Sequence, residues 1–233
     1  MILANASPAK AVVFDLDSTL FDVSHRTRSI FSDFLSAHRD SVDFTEMDLK
    51  VLQAVQIESF DWGIKEPILR ALSQVGGVNL SPAVLKLVRD HWRKHFFSNG
   101  YLEHDRPYKG SIKYVQDLAA ANIPILYLTG RDAINMRTGT IQSLHHHGFP
   151  LSDEKNLIMK PAKGAIEDDD YKVDRLRTIL KTFESVWFFE NEPFIIRATQ
   201  RAHPNLKIIF LNTTHSRREP AITDLPTIEM DGY

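Results

Sequence analysis

Cysteine is absent from the 233 residues. Disulfides, thiol nucleophiles and cysteine-ligated zinc are therefore excluded, while the redox compartment is left open. Long hydrophobic runs are also missing. No stretch reaches the ~18 consecutive apolar residues that a membrane-spanning helix needs. The N-terminal Met1-Ile2-Leu3-Ala4-Asn5-Ala6-Ser7 has no basic region and no extended apolar stretch, so no signal peptide is expected and the chain reads as cytoplasmic, with no membrane partner. Neither sign of charge is in excess: 28 Lys and Arg against 30 Asp and Glu leave −2. That balance supplies no basic track, so no nucleic-acid partner is expected. Internal repeats and low-complexity tracts are absent too. What is present, 43% hydrophobic and 25% charged residues, suits a globular chain with one large core, or a core plus a smaller domain.

The rest of the chain is organised around residues 11–20, Ala-Val-Val-Phe-Asp-Leu-Asp-Ser-Thr-Leu. An apolar, β-rich run leads into Asp15 and Asp17, with Thr19 two residues on. Two carboxylates cannot pack unpaired in a core, so the strand is expected to open into a site at its C-terminal end. Strand alternation puts Asp15 and Asp17 on one side, opposite Leu16. Neighbouring acids of this kind suit a divalent cation with oxygen ligands, and Mg²⁺ fits that chemistry.

From residue 24 to 99 helical periodicity dominates, with stripes such as Phe31/Phe34/Leu35/His38, Met47/Val51/Leu52/Val55, Ile68/Leu69/Leu72/Val75 and Val84/Leu85/Val88/Trp92/Phe96. Thr45 and Ser81-Pro82 provide helix starts, and Gly76-Gly77 a stop. From Pro107 the pattern changes to alternating helix and strand. Strands are expected at 124–129, 156–159, 186–189 and 206–211. Helices are expected at 111–121, after Asp132 (carrying Ile134, Ile141 and Leu144), over the Val173–Phe183 stripe, and at 193–202. The tail from Thr213 is polar and is expected to wrap the surface. Strands separated by helices imply right-handed βαβ units and a doubly wound parallel α/β sheet. The expected organisation is a core of residues 1–22 and 101–233 with an inserted helical domain at 23–100.

Open parallel sheets place their sites at the carboxyl ends of the strands. Those ends carry Asp15 and Asp17; Thr129, Gly130 and Arg131; Lys160, with Lys172 opening the next helix; and Glu190, Asn191 and Glu192. Acids, a hydroxyl, a lysine and further acids thus converge on one edge. His145-His146-His147 reads as a solvated helix terminus. Among the aromatic residues of the helical block, Trp62 beside Gly63 is the best candidate to face a substrate.

Asp15-Leu16-Asp17-Ser18-Thr19 resembles the first motif, D-x-D-x-T, of the haloacid dehalogenase-like (HAD) superfamily in its Asp-nucleophile phosphatase form. Ser18 stands where Gly is common. Leu126-Tyr127-Leu128-Thr129 resembles the second motif, an apolar strand ending in Thr or Ser. Lys172 or Lys160 would supply the third. Glu190-Asn191-Glu192 stands where a paired Asp is usual in the fourth. The resemblance implies a Rossmann-like core, a helical cap inserted between the first two motifs, and Mg²⁺ held by Asp15, Asp17, Glu190 and Asn191. It makes Asp15 the nucleophile that forms an aspartyl-phosphate, Asp17 the proton carrier and Thr129 a phosphoryl ligand. The lysine neutralises Asp15 and the phosphoryl group. Lys172 lies 18 residues before Glu190 and Lys160 lies 30, and one helix plus a turn fits the shorter gap. The implied activity is Mg²⁺-dependent hydrolysis of a small phosphomonoester. A phosphomutase-like transferase and a phosphate-binding regulator are the alternatives. A true dehalogenase has no need of Asp17.

Overall fold

The computed structural model describes residues 10–38, 44–76, 80–162, 164 and 166–229. Met1–Ser7 and Gly77, read above as a leaderless start and part of a helix stop, lie outside them. In chain order the first elements are β1 (Lys10–Phe14), β2 (Phe21–Asp22), α1 (Ser24–Ala37), α2 (Glu46–Gln53), α3 (Lys65–Gln74) and α4 (Pro82–Phe96). They are followed by β3 (Arg106–Pro107), α5 (Ser111–Ala120), β4 (Ile125–Asp132), α6 (Arg137–His147) and β5 (Leu157–Lys160). The last are α7 (Asp168–Ile179), β6 (Ser185–Glu190), α8 (Pro193–Ala202), β7 (Lys207–Asn212) and β8 (Thr227–Glu229).

Six strands form one sheet in the order β5-β4-β1-β6-β7-β8, parallel throughout. β1 lies inside it, between β4 and β6, and Ala11 to Phe14 are fully buried. Alternation splits the strand between two cores. Val12 and Phe14 join Val115 and Leu118 of α5 and Leu144 of α6, whereas Val13 joins Leu176 and Ile179 of α7 and Ile195 and Ile196 of α8. Helices thus cover both faces, as a continuous apolar run in a parallel strand requires.

The helical block builds a third core from Phe31, Phe34, Val51, Leu52, Ile68, Val84 and Val88. Two of its helices, α2 and α4, start where polar side chains satisfy free N–H groups. Thr45 and Asp48 form a capping box on α2, and Ser81 accepts from Val84 N ahead of Pro82 on α4. The two connections to the sheet are not loose. They pair as antiparallel β2 and β3, and Tyr108 N donates to Leu20 O.

Three local expectations change. Asp132 ends β4 and its Oδ1 accepts from Asn135 N, so it closes a turn; α6 begins only at Arg137, and Ile134 is left 71% exposed. Lys160 belongs to β5 itself. The tail does more than wrap the surface. Thr227–Glu229 adds a parallel sixth strand, and Thr213 and Thr214 are buried against the strand ends. A three-residue strand behind Pro226 is too short to show a period. Among the described residues no helix is long and apolar enough to cross a membrane.

Candidate active site

β1 delivers Asp15 to the sheet's carboxyl edge, where its N–H donates to Phe189 O at 3.0 Å. The chain then turns sharply. Ser18 takes φ +59°, with its N–H on Phe21 O at 2.8 Å and its carbonyl accepting from Thr213 Oγ1. That left-handed residue explains why glycine is common at this position in the motif.

Lys172, in the first half of α7, is buried with its Nζ 2.8 Å from Asp15 Oδ1 and 2.7 Å from Glu190 Oε2. One ammonium therefore serves two buried carboxylates. Burial pushes Asp15 up to about 7 although Lys172 opposes it, and Glu190 and Asp17 add to the rise. Burial also raises Glu190, again against Lys172. Burial disfavours the Lys172 charge, but Asp15 and Glu190 outweigh it and raise the ammonium above its ordinary value. Glu190 Oε1 accepts the N–H groups of Asn191 and Glu192, both at 3.0 Å, so both its oxygens are occupied.

Asp17 stands in a different field. Its Oδ1 accepts from Arg26 Nη2 at 3.0 Å, from Arg131 Nε at 2.9 Å and from Arg131 Nη2. Burial works against its charge, but Arg131 and Arg26 together hold the carboxyl below the usual range. Both guanidinium groups also grip Asp105, which is fully buried. Arg131 follows Thr129 by two residues on β4, so strand alternation gives them one face, and the Arg131 side chain is buried between Asp17, Asp105 and Thr140.

The two lysines part company here. Lys160 pairs with Asp168 at 2.7 Å, and Asp168 in turn lies over Gly130, where a Cβ would meet its Oδ1 at 3.1 Å. Thr129 is buried and its Oγ1 accepts from Arg131 N. Asp15, Asp17, Thr129, Lys172, Glu190 and Asn191 line one pocket of about 220 Å³. Aromatic residues also line it: Trp62, Trp92 and Phe97 from the helical block and Phe194 of α8.

Residues 9–190 match the family model described as haloacid dehalogenase-like hydrolase. The chain belongs to that family. This HAD-like hydrolase also resembles solved structures at low identity. A HAD-superfamily hydrolase of subfamily IA, variant 1, from Geobacter sulfurreducens is 14% identical, covering 98% of this chain and 95% of that one at TM-score 0.56. Protein Tyrosine Kinase A of Mycobacterium tuberculosis is 17% identical, with coverages of 96% and 94% and TM-score 0.54. A HAD-superfamily hydrolase from Ehrlichia chaffeensis is 15% identical, with coverages of 95% and 91% and TM-score 0.51. These likenesses speak for the fold. No curated protein matches the chain.

The hydrolase's oxygen donors suit Mg²⁺, though not the full ligand set expected. Among the described residues no three His, Asp or Glu side chains gather as a metal cluster. Glu190 turns its carboxylate to ammonium and backbone N–H groups, and Asp17 gives Oδ1 to the two guanidinium groups and keeps Oδ2 on the pocket wall. Asp15 Oδ2 and Asn191 Oδ1 remain, 3.4 and 3.1 Å from the Thr19 hydroxyl between them. Asn191 Nδ2 donates to Thr214 O at 2.7 Å, which fixes the amide with its oxygen toward Thr19. One charged and one neutral oxygen, beside a buried acid whose charge is only half matched, suit a cation that keeps most of its water.

The sequence reading missed Arg26, Asp105, Thr214 and Ser216. Ser216 holds Glu192 through its N–H at 2.8 Å and its Oγ at 2.7 Å. Arg26 carried a signal: it lies one helical turn before Ile30, on an apolar stripe where a cation needs a buried partner. Asp105 carried none.

Proposed function

We propose that this hydrolase is a Mg²⁺-dependent phosphatase of small phosphomonoesters, with Asp15 as nucleophile. The observation that carries the reading is the buried Asp15 carboxylate with Lys172 Nζ at 2.8 Å, at the head of a pocket that also presents Thr129 and Asp17. Asp15 bonds to phosphorus as the ester P–O bond breaks. Lys172 offsets the charge that gathers there, and Thr129 orients a phosphoryl oxygen. The monoanionic form of the ester, present near its second pKa of about 6, brings the proton for the departing alkoxide, and Asp17 relays it. Water then attacks the aspartyl-phosphate as the bond from phosphorus to Asp15 breaks; Asp17 takes the water's proton and returns it to the departing phosphate or the solvent. Asp15 and Asn191 would hold Mg²⁺, whose charge offsets that of the phosphoryl oxygens. Lys160, committed to Asp168, stands outside this chemistry.

We read residues 23–100 as the cap of a core formed by 1–22 and 101–233. Its own hydrophobic cluster supports that division, and the contact from Thr214 Oγ1 to Phe60 O at 3.0 Å joins the two units. A pocket of about 220 Å³ under such a roof favours small esters over phosphoproteins or polynucleotides. The test is phosphate release from p-nitrophenyl phosphate and a panel of small phosphometabolites, with Mg²⁺ and with EDTA. Turnover that needs both Mg²⁺ and Asp15 supports the reading. Absence of phosphate release from every ester, or faster cleavage of a phosphopeptide, overturns it.

A further inference from the structure

We infer that Arg26 and Asp105 are positioning residues that, with Arg131, aim the Asp17 carboxylate at the water that cleaves the phosphoenzyme. The inference rests on the phosphatase reading above and adds to it two residues from outside the four sequence motifs.

Three N–H groups from two guanidinium groups converge on a single oxygen, Asp17 Oδ1. Oδ2 has no hydrogen bond to any described residue, and the side chain, 29% exposed, lines the pocket. The carboxylate is thus fixed by one oxygen and presents the other. A freely rotating acid would spread its lone pairs over many directions; this one has a single orientation. Holding it so takes more than the arginines, because two cations side by side repel. Asp105 resolves that. Its Oδ1 accepts from Arg26 Nε at 2.8 Å, and its Oδ2 accepts from Arg26 Nη2 at 2.6 Å and Arg131 Nη2 at 2.7 Å. The paired contact on Arg26 fixes the plane of the guanidinium as well as its position. Arg26 Nη1 goes to Phe96 O at 3.1 Å, its guanidinium lies over the Phe96 ring at 4.4 Å, and Arg131 Nη1 goes to Thr140 Oγ1 at 3.3 Å. Two positive and two negative groups form a closed, balanced square.

The placement of these residues matters as much as their charge. Arg26 belongs to the first turn of α1, where the chain enters the helical block, and Asp105 to the segment returning from it. Both ends of the block are therefore tied to the acid that handles the proton. A square built only for stability has no need to leave one carboxylate oxygen bare on the pocket wall.

The experiment uses p-nitrophenyl phosphate, whose leaving group departs without a proton, so that turnover reports the second half-reaction. Acid-quenched protein is assayed for covalent phosphate in the full-length enzyme, in Arg26→Met, in Arg26→Lys, in Asp105→Asn and in Asp17→Asn, with folding checked by circular dichroism. Misaiming the base should lower kcat on the order of 10- to 100-fold, part of what general base catalysis contributes. Because only breakdown of the phosphoenzyme slows, KM should fall with kcat and kcat/KM should change little, and the phosphoenzyme fraction should rise toward that of Asp17→Asn. Arg26→Lys should recover part of kcat. If Arg26→Met does not fold, Arg26→Lys and Asp105→Asn carry the same readout. A folded variant whose kcat falls without accumulating phosphoenzyme, or whose kcat is unchanged, overturns the inference while Asp17→Asn still accumulates it. If Asp17→Asn itself accumulates none, the phosphatase mechanism fails first, and this inference with it.

Discussion

Asp15 and Asp17 stand two residues apart at one strand end and face opposite fields. Asp15 shares a single ammonium with Glu190, so its surroundings hold more negative than positive charge, and burial pushes it up to about 7. Asp17 shares two guanidinium groups with Asp105, and its carboxyl is held below the usual range. Sequence spacing does not announce that difference, because strand alternation would put both residues on one side, whereas β1 ends at Phe14 and the chain turns before Asp17. It comes from which elements arrive at each: α7 and β6 at Asp15, α1 and β4 at Asp17. A cation beside Asp15 would remove most of the contrast, which is the electrostatic argument for Mg²⁺ at that position and not at Asp17.

The contrast is broken most completely by Asp15→Asn. The change is nearly isosteric and removes the nucleophile of the proposed mechanism, so phosphate release should fall to background. Turnover comparable to the parent enzyme would transfer the nucleophile elsewhere. Next in size is the lysine. Lys172→Ala strips the only cation from two buried acids and should lower kcat on the order of 10²- to 10³-fold. Lys160→Ala, which frees only a half-exposed Asp168, should cost a few-fold at most. Steady-state rates of the two variants decide it, and the opposite ranking sinks the assignment of Lys172.

The Asp15 side of this contrast was far more legible in the sequence than the Asp17 side. Asp15, Thr129 and Glu190 each follow an apolar run, and Lys172 lies in the second turn of the helix after another, in a chain that alternates strand and helix; parallel topology brings such ends together. The Asp17 partners come from elsewhere. Arg26 sits among the stripes of the helical block, whose packing the sequence assigned to a separate unit. Asp105 lies in a connection with no period at all. Arg131 was visible, but its partners Asp17 and Asp105 come from other segments of the chain, which no local residue pattern announces. The tail was misjudged for a related reason: Thr213, Thr214 and Ser216 look polar because their hydroxyls serve partners inside the fold, Ser18 O, Phe60 O and Glu192.

A third prediction concerns pH. In metal-free protein, folded Asp15 keeps its proton up to about pH 7, whereas the unfolded chain loses it near pH 4. The folded state therefore binds the extra proton between those values, and this group's contribution to stability falls as pH rises through that window. Asp17 runs the other way: its contribution is present above pH 4 and is lost as pH drops below it. Denaturation curves of the parent and Asp15→Asn, measured from pH 5 to 8 in EDTA, isolate Asp15, since the histidines titrate alike in both. Asp15→Asn should become relatively more stable toward pH 8, by on the order of 2–4 kcal/mol. Mg²⁺ should shrink that gap by stabilising the parent alone. A pH-independent difference would mean that Asp15 is not held up as described.

The smallest expected effect lies at the turn that separates the two acids. Ser18, with φ +59°, occupies the left-handed region, and contacts on both of its sides fix it there: Ser18 N on Phe21 O and Thr213 Oγ1 on Ser18 O. A side chain in that region costs roughly 1 kcal/mol, less for a small polar residue than for a branched one. Ser18→Gly removes that strain but also frees the unfolded chain, which returns most of the gain. The melting temperature should therefore rise only slightly. Ser18→Val keeps the unfolded chain stiff and adds a second branch at Cβ, so it should destabilise the fold by about 1–2 kcal/mol. The Gly–Val difference reads the backbone constraint directly, because both replacements lose the hydroxyl. If Val at this position melts with Gly, the turn has relaxed out of the left-handed region. Asp15 and Asp17 would then be free to exchange their surroundings, and the contrast between them should fade in the same variant.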